Sequence, residues 1–442
     1  MTRPVPPPRR TAGTGSNRKR ARRGRRAPRF LLYSHDGSGL GHLRRNLNLA
    51  AALVEACPAA SVLIATGSEA LDSFVVPPSV DVLRLPGVRK LSNDRYSARR
   101  LALDDDEVGA LRAALLATAV KAFRPNVLVA DKHPAGVHGE LVPALEALRA
   151  IGGRAAVGLR DVLDGAAEAQ RGWLDGGLEA VLVFHDLVLV YGEQELLDPL
   201  AGSGLAGRSD VEVRYCGYVV AGPAPGSAPV GPAIPRTAGS PLVIASAGGG
   251  EDGTALLAAL LAAARGTSWD VVAVTGPQAE PCDRARLDAL ATAAGATVVT
   301  SIPELGSRLA GADAVVCMGG YNSLAEVLAA GVPAVCVPRV VPRTEQLVRA
   351  EAFAEHGLLR VVRPATLDPA RLRSEVDAAL ATDRAALADR VAGLVRLDGR
   401  HRAAAALLEL AGTVVPARRS AVRSAVGSAV GSSVGSTVGS MA

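Results

Sequence analysis

Polar and apolar positions along this chain fall into repeating blocks. Short apolar runs of strand length are followed by a glycine or polar loop, then by a longer stretch with helical spacing. In the first half the strand-like runs are Arg29–Ser34, Ser61–Thr66, Val80–Leu85, Asn126–Asp131, Arg154–Arg160, Ala180–Phe184 and Leu187–Tyr191. Helices are predicted between them, notably over Asp104–Ala122 and His138–Ala150. Tyr215–Val219 is a further strand-like run, and Arg89–Arg100 reads as a polar mobile loop. The pattern restarts with strands at Leu242–Ser246, Val271–Thr275, Thr297–Thr300, Asp313–Cys317 and Ala334–Val337. Helices are predicted over Thr254–Arg265, from Asn322 to about Ala330, and through much of Asp368–Gly412. This β–α alternation predicts an α/β fold of two Rossmann-like units.

The boundaries follow from composition. Residues 1–28 form a basic arm rich in Pro, Gly and Arg, and are expected to be disordered. Residues 29–220 form one domain and 241–412 another, joined by a linker at 221–240 crowded with Pro, Gly, Ala and Ser. Residues 413–442 form a low-complexity tail, in which Ser420–Ser440 repeats Ser-x-Val-(Gly/Arg) without side chains large enough to build a core.

The Ala312–Gln346 segment concentrates the chemistry. It reads as strand, glycine turn, helix, strand and second loop. Gly319 and Gly320 allow a phosphate close to the backbone, at a helix N-terminus that favours anions. Asn322 is placed to cap that helix, and Ser323 adds a hydroxyl. Glu326 lies within reach of a sugar hydroxyl, and Glu345-Gln346 leaves the carboxyl end of the next strand, where open α/β sheets bind ligands. Two further glycine loops follow strands and lead into helices. Gly39 and Gly41 precede His42 and Arg44, while Gly248, Gly249 and Gly250 open a helix that Asp252 is expected to cap. The first loop has GxGxG rather than GxGxxG, and no acid ends Ser61–Thr66, which excludes a dinucleotide-dependent oxidoreductase. Polar clusters end several strands: His35-Asp36, Asp131-Lys132-His133, Arg160-Asp161 and His185-Asp186. Imidazole titrates near neutral pH and so suits a general base. His42 is the first candidate, with Asp161 and Asp131 behind it, while Lys132, His133 and Arg160 are further ligand-contact candidates on the same rim.

Charge changes the picture in one respect. The net charge of +6 comes from the ends: residues 1–29 hold eleven Arg or Lys, the tail after Ala417 adds three Arg, and the body between them carries 35 basic and 43 acidic residues. The basic balance therefore describes an arm, not a nucleic-acid-binding face. That arm is either a tether to an anionic membrane surface or a solvated tail. Five scattered Cys without a CxxC fit a reducing cytoplasm, and no His/Cys/Asp/Glu set has metal-ligand spacing. No window is apolar enough to span a membrane.

Gly320–Glu326, GYNS-x-x-E, resembles the GWNS-x-x-E core of the plant secondary-product glycosyltransferase box. Its spacing to Glu345-Gln346 resembles the lipid II N-acetylglucosaminyltransferases of family 28. The resemblance implies a GT-B fold, two Rossmann-like domains facing each other across a cleft, and transfer of a hexose or N-acetylhexosamine from a UDP-sugar. The implied reaction inverts the anomeric centre and requires no metal; the UDP-sugar is a co-substrate and no cofactor is implied. By the same resemblance Glu326 binds ribose, Glu345 and Gln346 read the donor sugar, the Ile302 backbone reads uracil, and Asn322 and Ser323 hold phosphate. The acceptor is not indicated: lipid-linked, saccharide and small-molecule hydroxyls all fit. Where those families place a His or Arg on the diphosphate, this chain has Met318, so some other cation, with Arg343 and Arg339 as candidates, or the backbone must neutralise it. The GLGHLRR loop also resembles a nucleotide-sugar hydrolase of pseudaminic acid synthesis, and a 2-epimerase or a non-catalytic nucleotide-sugar binding protein would share the fold.

Overall fold

The computed structural model describes residues 27–412, apart from 36–40, 70, 72–73, 93–94, 164–176, 202, 204, 206–207, 209, 222–233, 235, 251 and 342. The expected arm at 1–28, nearly all of the linker core, Gly39 and the tail at 413–442 therefore lie largely or wholly outside the described residues.

The first half runs β1 (Arg29–Ser34), α1 (Gly41–Ala56), β2 (Ser61–Thr66), β3 (Val80–Arg84), β4 (Val88–Ser92), β5 (Arg95–Ala98) and α2 (Asp105–Phe123). It continues with β6 (Val127–Asp131), α3 (Val142–Ala150), β7 (Arg154–Arg160), α4 (Leu178–Phe184), β8 (Leu187–Tyr191) and β9 (Glu212–Tyr215). Seven parallel strands form one sheet in the order β3-β2-β1-β6-β7-β8-β9. The second half runs β10 (Leu242–Ser246), α5 (Thr254–Ala264), β11 (Asp270–Val274), α6 (Pro281–Ala294), β12 (Thr297–Val299) and α7 (Leu305–Arg308). Then follow β13 (Ala314–Cys317), α8 (Tyr321–Ala330), β14 (Ala334–Cys336), α9 (Glu345–Glu355), β15 (Arg360–Val361), α10 (Pro369–Leu380), α11 (Arg384–Leu394) and α12 (Gly399–Gly412). Its six strands are also parallel, in the order β12-β11-β10-β13-β14-β15. In both sheets the order reverses beside the first strand of the half, so the crevice at the carboxyl ends opens there.

Local chemistry explains several boundaries. Asp104 caps α2 through the Glu107 N–H, and Glu107 returns the bond to the Asp104 N–H, a reciprocal capping box. The run 180–184 is helical, not a strand. Only two residues separate it from β8, and a parallel neighbour needs a far longer crossover. Arg89–Arg100 contains the antiparallel pair β4–β5 rather than an open loop. The helix expected from His138 starts at Val142, because Gly136, His138 and Gly139 take positive φ. The run Tyr215–Val219 stops being a strand at Tyr215: Gly217 turns at φ +81°, where a Cβ would meet the Arg396 carbonyl oxygen at 2.5 Å.

That turn is one of two adjacent crossings between the halves. The Tyr218 N–H donates to the Arg396 carbonyl at 2.8 Å, and the Gly399 N–H donates to the Tyr218 carbonyl at 3.1 Å. After this second crossing α12 packs on α1, with Ala403, Ala404 and Leu407 buried in the same core as Leu43, Leu47 and Ala50. One apolar cluster continues through the junction, where Tyr218 stacks on Tyr321 at 5.5 Å and meets Phe353 edge-on at 5.6 Å. Among the described residues no helix is long and apolar enough to cross a membrane.

Candidate functional site

Two sheet rims face each other, and the starts of α1 and α8 meet between them. The Asn322 side-chain amide donates to the Gly41 carbonyl at 3.4 Å. Asn322 does not cap α8 as expected: Gly320 is the cap residue, in extended conformation, and Tyr321 already belongs to the helix. The Tyr321 side chain anchors that first turn, its hydroxyl accepting from the Val219 N–H at 2.9 Å. Ser323 lies in the same turn, and the glycine turn ahead of it is tightly packed. A Cβ on Gly319 would lie 2.6 Å from the Gln346 carbonyl oxygen, so only glycine fits there.

On the first-half rim, His42 is the second residue of α1 and partly exposed, while Asp131 ends β6 and is buried. His42 Nδ1 lies 3.1 Å from Asp131 Oδ2. Donation from Nδ1–H to that carboxylate leaves Nε2 with its lone pair, the form a general base requires. Arg45 holds the pair. Its Nη2 donates to both Asp131 oxygens, at 2.8 and 2.6 Å, and lies 3.0 Å from His42 Nδ1. Burial works to raise the Asp131 carboxyl, but Arg45 and then His42 outweigh it and keep it well below the usual carboxylate range. The Arg45 guanidinium sits between the Tyr191 and Tyr321 rings, 5.7 and 5.5 Å from their centroids. His35 and His133 complete the rim, their rings meeting edge-on at 4.4 Å. Desolvation lowers both, reinforced for His35 by His133 and for His133 by Lys132, so both are neutral at pH 7.

Asp161 has a different place from the one expected. It is buried, and both its oxygens are taken by partners. Arg349 Nε donates to Oδ1 at 3.0 Å and Oδ2 at 2.8 Å, Arg349 Nη2 donates to Oδ1 at 2.7 Å, and the Tyr218 hydroxyl donates to Oδ2 at 3.0 Å. With no exposed oxygen it is a strut between the halves rather than a base. Arg349 also donates through Nη1 to the Gly319 carbonyl at 2.8 Å, tying the strut to the glycine turn. His185-Asp186 is likewise not on the rim. Asp186 precedes β8 and binds Arg154 and the Ala155 N–H at the amino end of β7.

On the second-half rim, Glu326 and Glu345 are buried, and each pairs with an arginine of the first half. Arg44 Nη2 lies 2.6 Å from Glu326 Oε1, and Arg160 Nη2 donates to Glu345 Oε2 at 2.7 Å. Burial raises the Glu326 carboxyl above its ordinary value, with Arg44 opposing. Glu345 behaves oppositely: burial raises it, but Arg160, Arg349, Lys132 and Arg343 together lower it to about 2. Lys132 and Arg343 thus add positive charge around the same carboxylate, one from each half. Gly306, which sequence reasoning passed over, makes room for Glu326; a Cβ there would stand 2.8 Å from the carboxylate carbon. The Gln346 side-chain oxygen accepts from the Arg339 N–H at 3.1 Å.

The remaining donor-side candidates line the same edge less tightly. Gly248 and Gly250 take positive φ, and a Cβ on Gly250 would lie 2.7 Å from the Thr275 carbonyl. Asp252 does not cap α5; Gly253 does, without a side-chain bond, and Asp252 pairs with Arg339 at 2.8 Å. Ile302 follows β12 and packs its side chain on the central core. Among the described residues no cluster of three or more His, Cys, Asp or Glu is arranged to hold a metal. Arg45, Arg349, Tyr218 and Tyr321 were missed as site residues. The available signal was weak: charged residues at helical positions that otherwise carry apolar side chains.

Residues 257–393 match the Glycosyltransferase family 28 C-terminal domain. The chain is 33% identical over 150 residues to the UDP-N-acetylglucosamine--N-acetylmuramyl-(pentapeptide) pyrophosphoryl-undecaprenol N-acetylglucosamine transferase of Sorangium cellulosum, covering 33% of this chain and 37% of the relative. The transferase of the same name from Mycobacterium ulcerans is 38% identical over 116 residues, 26% of this chain and 29% of the relative. The chain thus matches between 29% and 37% of the length of these relatives. Among solved structures, the calicheamicin glycosyltransferase CalG4 superposes with a TM-score of 0.57 at 21% identity, covering 89% of this chain and 100% of CalG4. MurG of Acinetobacter baumannii superposes at 0.52 and 15% identity, over 87% and 99% of the two chains. A UDP-glucosyltransferase of Polygonum tinctorium superposes at 0.62 and 14% identity, over 88% and 99%. The likeness runs through both sheets: the fold is GT-B, two Rossmann-like units across a cleft.

Proposed function

From a GT-B fold whose second half is similar to family 28, we propose that this protein transfers a hexose or N-acetylhexosamine from a UDP-sugar to an acceptor hydroxyl. The observation that carries the reading is the meeting of α1 with α8. It sets the His42–Asp131 pair beside the glycine turn, Glu326 and the Glu345-Gln346 pair. A diphosphate at the start of α8 would accept from free N–H groups and lie at the positive end of the helix dipole. Glu326 would accept from ribose hydroxyls, and Glu345 and Gln346 would read the sugar. The acceptor oxygen attacks the anomeric carbon as its proton passes to His42 Nε2; the bond from that carbon to the phosphate oxygen breaks, and UDP leaves. Attack opposite the leaving group inverts the centre. Asp131 and Arg45 fix the imidazole, so no reorganisation is needed as charge develops.

Binding of UDP-GlcNAc, UDP-Glc, UDP-Gal and GDP-mannose, followed by calorimetry together with nucleotide release, tests this. The expected result is UDP-sugar binding that Glu326→Ala removes, with release that depends on an added acceptor. Release at full rate without acceptor would instead assign a hydrolase. Binding of none of these donors would refute the reading.

A further inference from the structure

The donor site as read above lacks a cation where Met318 stands, yet a diphosphate at the start of α8 needs neutralising. Arg339 is committed to Asp252 at 2.8 Å, and the charge of Arg343 acts on the Glu345 carboxylate. The guanidinium at the nucleotide end comes from the opposite half. Arg44, the fourth residue of α1, reaches across the cleft to within 2.6 Å of Glu326. Its side chain is 30% exposed while that of Glu326 is 8% exposed, so the arginine approaches from the open side and the carboxylate is the fixed partner. Glu326 is the sixth residue of α8, so this pair lies about one helical turn from the first N–H groups of that helix.

Both members of this pair are needed elsewhere once a donor enters. A ribose hydroxyl donating to Glu326 competes with Arg44 for the same oxygens. The displaced guanidinium then stands next to a multiply charged diphosphate, for which its planar fork is well suited. We propose that Arg44 is the diphosphate cation of the donor site, parked on Glu326 in the ligand-free protein and exchanged onto the phosphates when the nucleotide binds. This inference rests on the donor-site reading above and adds to it a ligand contact from the acceptor half. The first half thereby supplies part of the neutralisation of the leaving group.

The experiment compares UDP with uridine, which shares the ribose but lacks the phosphates. Binding of each to the full chain, to Arg44→Met and to Arg44→Lys is measured by calorimetry at low and high salt, with thermal melts to verify folding. Arg44→Met is expected to weaken UDP by roughly tenfold or more. Uridine binding should stay level or tighten, because Glu326 has lost its competitor. Arg44→Lys should restore part of the UDP affinity, and the salt dependence of UDP binding should shrink in Arg44→Met. UDP binding equal to or tighter than wild type in Arg44→Met would overturn the proposal and leave Arg44 as a latch over Glu326. Equal binding of UDP and uridine by the wild type would overturn it too. If the wild type binds neither, the donor-site reading itself fails.

Discussion

Replacing Arg349 by Met cuts the strongest polar link between the two halves. The side chain is fully buried, as is that of Asp161. Three short contacts join them, and a fourth ties Arg349 to the Gly319 carbonyl. Removing one member of a buried ion pair leaves the other charge without compensation, at a cost of roughly 3–5 kcal/mol. The orphaned Gly319 carbonyl adds about 1 kcal/mol or more. Arg349→Met should therefore destabilise by about 5 kcal/mol, and Asp161→Asn by about 3 kcal/mol, since it keeps the Gly319 bond. Replacing both residues, Asp161→Asn with Arg349→Met, removes the two charges together and should recover at least about 2 kcal/mol of the summed loss. Urea unfolding followed by circular dichroism reads all three variants. Single variants costing under about 1 kcal/mol, with a coupling under about 0.5 kcal/mol, would show that the pair does not hold the halves together.

Other outcomes follow from the same geometry. His42→Gln should lower kcat by about 10²–10⁴ while leaving donor KM within a few fold, in an acceptor-dependent assay once an acceptor is found. Gly319→Ala must push a Cβ away from the Gln346 carbonyl at 2.6 Å; a loss of about 1–3 kcal/mol in stability and weaker UDP binding are expected by melting and calorimetry. Glu345 has a folded value of about 2 against an ordinary 4.5, so its contribution is fully present above about pH 4.5 and is lost as pH falls towards 2. That contribution is on the order of 3 kcal/mol; acid titrations of stability should flatten over this window in Glu345→Gln.

How much of this was legible beforehand depended on how local the chemistry is. The glycine turn, Glu326 and Glu345-Gln346 sit within one β–α–β unit, where glycine, helix start and strand end leave sequence marks of their own. The α/β alternation was equally plain, because each buried strand is a short apolar run. The run 180–184 misled because five apolar residues fit a strand or a buried helix turn, and only the two-residue gap to β8 decides between them. What stayed hidden was pairing over distance. Asp161 meets Arg349 across 188 residues and Arg160 meets Glu345 across 185, and neither end signals the other. Asp161 looked like a rim carboxylate because it ends a strand, and only the burial that Arg349 and Tyr218 impose shows its role. The capping role expected for Asn322 passed to Gly320 because Tyr321, held by the Val219 N–H, joins the helix first.

The path of the last helix bears on how such a protein can be taken apart. Since α12 returns to lie on α1, the first half is built from two separate pieces of chain, with the second half inserted between them. A cut in the linker near residue 240 would leave the first half without its closing helix and the second half trailing an apolar one. A graft of a foreign second half has to end before the crossing at Arg396–Gly399 and hand the chain back to the native α12. Specificity could then be recombined as an insertion with two seams, lying side by side in space, rather than as an exchange of ends.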